Sequence, residues 1–348
     1  MPTTLHRPAP VDPRTAEPVD RHADPLWAAD QLLAGRRLGV TDHYSTGAEI
    51  LAALERRLPA PPYTAPYAVR QEHRQWLRRA GLNLIVPVRH HRLALPGSRA
   101  IPLLRDLYGE LADFHLPLLQ AQELHSAGQR YEQGVHLAVL GHRLHPFYGT
   151  YAPTRTEHLA LFGTWLSAYD GARARAVDVG TGCGVLALML AKAGFEHVLA
   201  TDENPNAVES VRRELARLDP RPPVEPLDAD LLGTDPGEVD LVVFNPPWVR
   251  GEAEGLLDRA LVYRRGLFER FFTQALGALT PHGRIVLVFS NVQTLVQPDE
   301  PHPLEAELAR GRLQLVEKLT RKMKGSKGPD GRRRTTRERV EIWVFAPA

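Results

Sequence analysis

Cysteine is almost absent from this 348-residue sequence, in which Cys183 is the only one. A single thiol excludes a disulfide framework and a zinc site built from cysteines. Long apolar runs are also lacking, and none approaches the roughly 18–20 residues that cross a bilayer. The first twenty residues have no apolar core of a secretory signal. We therefore expect a soluble, cytoplasmic protein with no membrane partner.

Charge of either sign is not in excess, because 43 basic residues stand against 41 acidic ones and the formal net charge is +2. Overall charge thus gives no argument for a nucleic-acid partner, which only local clusters can supply. The apolar fraction of 43% and the charged fraction of 24% are ordinary for globular proteins. Collagen-like, coiled-coil and wholly disordered chains are excluded, and the length favours two domains.

The first part of the chain has a mixed pattern. Residues 1–25 contain six prolines and few large apolar residues, which predicts a disordered tail. Residues 26–150 show helical periodicity, interrupted by a strand at Leu82–Val88 with a partner strand at Arg92–Leu95, and by a hairpin around Gly141. We interpret this region as a mainly helical N-terminal domain that recognises the substrate.

Residues 151–348 alternate between apolar strands and helices, which predicts an α/β fold with a mainly parallel sheet. The last two predicted strands have no helix between them and should form an antiparallel hairpin at the sheet edge. The seven strands are Ala176–Val179, Val198–Thr201, Val224–Leu227, Asp240–Phe244, Arg284–Ser290, Arg312–Leu319 and Val340–Phe345.

A glycine-rich loop follows the first of these strands. Its glycines are Gly180, Gly182 and Gly184. Glycine allows positive φ angles and lets a ligand approach the backbone. Asp202 comes 22 positions after Gly180, close to the spacing of about 20 at which a carboxylate reaches ribose hydroxyls. Val185 stands where a dinucleotide fingerprint needs its third glycine, which disfavours an NAD-dependent oxidoreductase.

A second motif follows the strand Asp240–Phe244, at the edge where open parallel sheets bind ligands. It consists of Asn245, Pro246, Pro247 and Trp248. The Asn245 side-chain oxygen and the Pro246 carbonyl form two acceptors that can hold both hydrogens of an –NH₂ group. Trp248 offers a flat face for a planar amide or a nucleobase.

These motifs together resemble the class I S-adenosylmethionine-dependent methyltransferases of the Asn-Pro-Pro-aromatic type, the HemK-like and small-domain methyltransferases. The resemblance covers about residues 145–348. It implies a Rossmann-like, seven-stranded methyltransferase sheet with S-adenosylmethionine as the cofactor. It also implies methylation of a planar nitrogen, either a glutamine amide or an exocyclic amine of adenine or guanine. The scattered histidines show no metal-ligand pattern, and we expect no metal.

The resemblance assigns roles to individual residues. The expected cofactor-binding residues are Asp178, Gly180, Thr181, Gly182, Gly184, Asp202, Asp230 and Asn245. The expected catalytic residues are Asn245, Pro246, Pro247 and Trp248. Asp178 would act on the cofactor's amino group, directly or through water, and Asp202 would hold its ribose hydroxyls. Asp230 would lie near the adenine, or else cap a helix or turn.

Two features bear on the substrate. Thr156, followed by Glu157, resembles the Thr-Glu segment of the release-factor glutamine methyltransferases. The segment 321–339 carries nine Lys and Arg residues against two acidic ones, which suits phosphate binding. Its candidate phosphate-binding residues are Arg332, Arg333, Arg334 and Arg337.

We therefore expect an N-methyltransferase that acts on an exocyclic amine of RNA, of the ribosome or of DNA. One alternative is methylation of a glutamine amide in a translation-related protein. A second is a catalytically silent nucleic-acid-binding protein on the same scaffold.

Overall fold

The computed structural model describes residues 4–62, 65–153, 155–251, 260–325 and 337–348. The chain divides into two units, Leu5–Glu132 and Gln133–Ala348. The division falls earlier than the predicted boundary at residue 150, because the hairpin around Gly141 groups with the second unit. No helix among the described residues is long and apolar enough to span a membrane.

The first unit combines helices with one five-stranded sheet. Its helices are α1 (Pro25–Leu33), α2 (Tyr44–Arg57), α3 (Tyr67–Gly81), α4 (Leu103–Tyr108) and α5 (Leu118–Gln133). Its strands are β1 (Glu17–Val19), β2 (Leu38–Val40), β3 (Leu84–Arg89), β4 (Arg92–Leu93) and β5 (Phe114–Pro117). The sheet runs β1-β2-β3-β4, and β5 also pairs with β3. The sequence predicted β3 and β4 but not the other strands, so the unit is α/β and not simply helical.

The prediction of a disordered N-terminal tail is wrong for the described residues 4–25. β1 pairs in parallel with β2, with Glu17 opposite Leu38, and Val19 is buried. Farther upstream, the backbone N–H of Val11 donates to the carbonyl of His115 at 2.9 Å. Composition alone did not predict that residues 4–25 are ordered. A short segment that cannot build a core of its own can still join a sheet that the rest of the unit forms.

The second unit contains the seven predicted strands in one sheet, ordered β10-β9-β8-β11-β14-β16-β15. They are β8 (Arg175–Val179), β9 (His197–Asp202), β10 (Val224–Asp228), β11 (Val239–Phe244), β14 (Leu279–Ser290), β15 (Leu313–Lys322) and β16 (Arg339–Pro347). The pairs among the first five strands are parallel. β16 is antiparallel to both neighbours, so the predicted edge hairpin is confirmed.

Among the described residues of the second unit, four short strands lie outside this sheet. They are β6 (Val135–Leu137), β7 (His142–Leu144), β12 (Val249–Arg250) and β13 (Val262–Tyr263). β6 and β7 form an antiparallel hairpin, whereas β12 and β13 pair in parallel.

Helices cover the sheet on both sides, because its central strands are apolar on both faces. The helices are α6 (Glu157–Ala168), α7 (Val185–Lys192), α8 (Pro205–Leu215), α9 (Leu267–Ala278), α10 (Val292–Val296) and α11 (Pro303–Leu308). Along β11, Leu241 and Val243 enter the core cluster that includes residues of α6 and α7. Val242 and Phe244 enter the opposite cluster, with residues of α9. This alternation follows the two-residue repeat of a strand.

The strand register brings the predicted motifs to one edge. Val179 of β8 is opposite Thr201 of β9 and also opposite Phe244 of β11. The next residues along these strands, Gly180, Asp202 and Asn245, therefore emerge side by side at the carboxyl ends of three neighbouring strands.

Candidate active site

A cavity of about 450 Å³ opens at this edge of the sheet. Seven predicted site residues line it: Gly180, Thr181, Gly182, Asp202, Asp230, Asn245 and Pro247. The structure thus brings together residues from four separate stretches of the sequence. An enclosed volume of several hundred Å³ with a few convergent polar groups is typical of a small-molecule site.

The glycine loop forms one wall of the cavity. Gly180, Gly182 and Gly184 all have positive φ, at 63°, 56° and 87°. A Cβ on Gly182 would have nothing within 4 Å, so its backbone faces open space. Gly184 differs, because it precedes α7 and a Cβ there would lie 3.0 Å from Val211. Gly184 therefore serves the packing of α7 and is not among the described residues that line the cavity.

Asp178 lies buried at the end of β8, just before this loop. Its Oδ2 accepts hydrogen bonds from Thr181 Oγ1 at 2.6 Å and from the backbone N–H of Ala187 at 2.9 Å. Its Oδ1 is buried without a hydrogen-bond partner among the described residues. Burial raises the pKa of Asp178 to about 7. A buried acceptor that lacks a donor is uncommon. Asp178 is not among the described residues that line the cavity, so a contact with the cofactor's amino group, directly or through water, stays a prediction.

Asp202 ends β9 and is held rigidly by the backbone around it. Oδ2 accepts from the N–H of Gly182 and Oδ1 from the N–H of Asn204, both at 2.9 Å. Burial raises the pKa of Asp202 to about 6, and the nearby Glu203 and Asp228 add to the shift. Each carboxylate oxygen has further lone pairs that can accept from a hydroxyl. The geometry is suited to the predicted contact with ribose hydroxyls.

The Asn-Pro-Pro-Trp segment forms another part of the site. Trp248 donates its indole N–H to Asn245 Oδ1 at 3.2 Å and to the Val288 carbonyl at 3.2 Å. Its ring packs against both core clusters and is not among the described cavity-lining residues. The indole thus fixes the Asn245 amide, and its expected stacking on a substrate stays a prediction. Pro247 lines the cavity, whereas Pro246 is buried and is not among the described lining residues.

Asp230 is exposed and forms an ion pair with Arg270 on α9. The ion pair therefore joins two residues of the cavity wall. Arg270 also lines the cavity.

Thr156 is exposed just before α6, and it is not among the described residues of the cavity wall. Its neighbours bind both ends of the basic segment. Arg155 donates to Glu338 Oε2 and to the Lys324 carbonyl, each at 2.8 Å. Glu157 Oε1 accepts from the backbone N–H of Lys324 at 3.1 Å.

Arg155 and Glu157 therefore hold the two described ends of the basic segment, at Lys324 and Glu338. The nearby Pro153 lines the cavity. Arg332, Arg333 and Arg334 lie outside the described residues. Arg337 is exposed, and its carbonyl accepts from Asn291 Nδ2 at 3.2 Å.

Sequence reasoning missed several residues that line the cavity, among them His158, Arg264, Arg265 and Arg270. The adjacent Arg264 and Arg265 form a short basic cluster that could have been noticed. The only sequence signal for His158 is its position directly after Thr156 and Glu157. Its contact with Trp248 depends on tertiary structure and cannot be read from sequence spacing.

Comparisons with known proteins agree with this geometry. Residues 161–308 match the family model of the methyltransferase small domain. Mouse methyltransferase HEMK2 is 33% identical over 156 residues, which cover 41% of this chain and 72% of HEMK2. The tRNA1(Val) (adenine(37)-N6)-methyltransferase of Tolumonas auensis is 30% identical over 138 residues, which cover 38% of this chain and 57% of that protein.

A ribosomal protein L11 methyltransferase of Clostridium perfringens is 38% identical over 80 residues, which cover 23% of this chain. The matched region spans only a quarter of the length of that relative. The chain belongs to the class I S-adenosylmethionine-dependent methyltransferases, and S-adenosylmethionine is its cofactor. The unpartnered Oδ1 of Asp178, the open backbone at Gly182 and the rigid carboxylate of Asp202 fit this cofactor.

Proposed function

We propose that this protein is an N-methyltransferase whose substrate is an exocyclic amine of RNA or DNA. The observation that carries the proposal is the Asn245 amide, which lines the cavity with its oxygen held by the Trp248 indole. A carbonyl oxygen has two lone pairs, so Oδ1 can accept a second hydrogen bond while it keeps the bond to Trp248.

The cofactor, when bound, supplies a methyl group activated by a positively charged sulfur. The task of the protein is then to position a nitrogen lone pair in line with that methyl group. The lone pair of an amide or aromatic amine is delocalised and therefore a poor nucleophile. Asn245 Oδ1 and the Pro246 carbonyl would each accept one N–H, which favours a tetrahedral nitrogen and frees its lone pair. Trp248 would keep the Asn245 oxygen in place for this contact.

Two groups of arginines favour a nucleic-acid substrate. Arg264 and Arg265 are exposed side chains on the cavity wall, following β13. The basic segment is anchored near the same cavity through Arg155. Guanidinium groups bind phosphate with paired hydrogen bonds. A polynucleotide whose target base enters the cavity would place its backbone phosphates near such groups, which an uncharged glutamine side chain does not require.

Methylation of a protein substrate is the second candidate. Thr156 and Glu157 resemble the Thr-Glu segment of the glutamine methyltransferases. The Clostridium perfringens relative is, by its name, a methyltransferase of ribosomal protein L11. A glutamine amide also offers two N–H groups to the acceptors at Asn245 and Pro246.

The experiment that separates these candidates uses cofactor labelled with tritium in its methyl group. The purified protein is incubated with a cell lysate, and the product is divided among ribonuclease, deoxyribonuclease and protease treatments. We expect nuclease to release the label. Release only by protease would favour the glutamine candidate, and a protein that binds cofactor but labels no fraction would favour a catalytically silent binding protein.

A further inference from the structure

His158 is a buried titratable side chain that the proposed function does not yet use. It lies in the first turn of α6, has 5% of its surface exposed, and lines the same cavity as Asn245. Its Nδ1 is buried without a hydrogen-bond partner among the described residues. A buried polar atom without a partner costs free energy, so such an atom at a cavity calls for a functional explanation.

The histidine lies close to the residue expected to hold the target nitrogen. The His158 ring meets the Trp248 ring edge to face, with centroids 5.7 Å apart and planes at 86°. The Trp248 indole N–H in turn donates to Asn245 Oδ1 at 3.2 Å. The imidazole and the Asn245 oxygen therefore both contact one indole, and both border the cavity.

Several other groups of the cavity wall that could take a proton are engaged. Asp202 accepts two backbone N–H groups, and Asp230 pairs with Arg270. Tyr263 donates its hydroxyl to Gln293 at 2.6 Å, and burial raises its pKa to about 12. All three of these side chains therefore have partners, whereas Nδ1 of His158 has none among the described residues.

We propose that His158 is a catalytic residue that accepts, as a neutral imidazole, the proton which the target nitrogen loses during methylation. This inference rests on the proposed N-methyl transfer. In the step, the nitrogen lone pair forms the N–C bond, and the electron pair of the C–S bond remains on sulfur. The surplus proton on nitrogen passes to the imidazole, and the resulting imidazolium later gives it to water.

The electrostatics of the site are compatible with this role. Burial lowers the pKa of His158 to about 4, and Glu157 opposes this shift only partly. The imidazole is therefore neutral at physiological pH and has a free lone pair. The newly methylated nitrogen carries a positive charge and is a strong acid, because loss of its proton restores conjugation of the lone pair with the ring or carbonyl. A weak base is therefore sufficient to accept this proton.

Two substitutions separate proton acceptance from packing. His158→Phe keeps a planar ring against Trp248 but removes the acceptor, whereas His158→Gln keeps a polar acceptor and loses the ring. The assay measures methyl transfer from tritiated cofactor at saturation into the cellular fraction that the parent protein labels. We expect the Phe variant to be slower by about 10²-fold or more and the Gln variant to retain more activity. Cofactor affinity should change less than twofold in both.

A Phe variant that labels as fast as the parent would overturn the proposal. So would a Gln variant slower than the Phe variant, because that order indicates a packing role. Nitrogen NMR of the parent protein gives a readout that needs no substrate, and the His158 ring should stay neutral down to about pH 5. An imidazole that is still protonated above pH 7 would contradict the proposal even if the Phe variant failed to fold, because it has no lone pair to accept the proton. Failure of the proposed function is distinct, because the parent itself would then label no nitrogen.

Discussion

The buried negative charge of Asp178 should lower the stability of the cofactor-free protein, and the same charge should strengthen cofactor binding. Its pKa in the folded protein, about 7, lies above its ordinary value of 3.8 because the carboxyl group is buried. The folded state therefore holds a proton between pH 4 and 7 that the unfolded state has lost, and the free energy of unfolding falls as pH rises through this range. A difference of about three pKa units corresponds to about 4 kcal/mol above pH 7.

Asp178→Asn removes this charge while keeping an oxygen that can accept from Thr181 and Ala187. We expect the variant without cofactor to be more stable than the parent at pH 8 by up to about 4 kcal/mol, or on the order of 10 °C in Tm. At pH 4 most of the gain should vanish, because the carboxyl of the folded parent is then protonated and that of the unfolded chain, with its ordinary pKa of 3.8, is near half protonated. Cofactor affinity should fall at least tenfold, since the amide carries no negative charge.

Thermal melts at pH 4, 6 and 8, with calorimetric titration of the cofactor, test this prediction. Thr181→Val is the matched control, because it removes the 2.6 Å hydrogen bond to Oδ2 and leaves the charge. The control should be less stable than the parent, most clearly at pH 8. The reasoning is refuted if the Asn variant melts below the parent at pH 8, or if its stability gain is the same at all three pH values.

Two further predictions concern the cofactor and the substrate. Asp202→Ala should keep the fold and weaken cofactor binding strongly, because each lost charge-assisted hydrogen bond is worth about 1.5–3 kcal/mol; unchanged affinity by calorimetry would contradict the ribose assignment. Changing Arg264 and Arg265 together to Ala should weaken binding of total cellular RNA and lower its salt slope by about 0.7–0.9 for each lost phosphate contact. The same change at the exposed Arg212 and Arg221, which do not line the cavity, is the control and should leave both unchanged.

The sheet of the second unit was predictable because its strands carry their own signal. Val239–Phe244 is buried along its whole length, and such an apolar run identifies a central strand without any partner. The glycine loop and Asp202 were predictable for a related reason. The carboxyl ends of adjacent parallel strands meet at one edge, so a motif directly after each strand falls in one site.

The sheet of the first unit lacked such signals. β1 and β2 have three residues each, and their pairing depends on a partner some twenty residues away. His158 was missed because its neighbour Trp248 lies on a separate part of the chain, and only the packing of α6 brings them together. Trp248 itself was predicted as a site residue, but its hydrogen bond to Asn245 depends on a side-chain conformation that the sequence does not specify.

The measurement that tests the central claim most directly compares the parent with Asn245→Ala at saturating labelled cofactor. If the Asn245 oxygen holds the target nitrogen, the variant should lose methyl transfer while its cofactor affinity stays within about twofold, because the lost hydrogen bond is to the substrate. The labelled product of the parent should be a nucleoside methylated on its exocyclic amine. A variant that transfers methyl groups as fast as the parent, or that loses only cofactor affinity, would contradict the account.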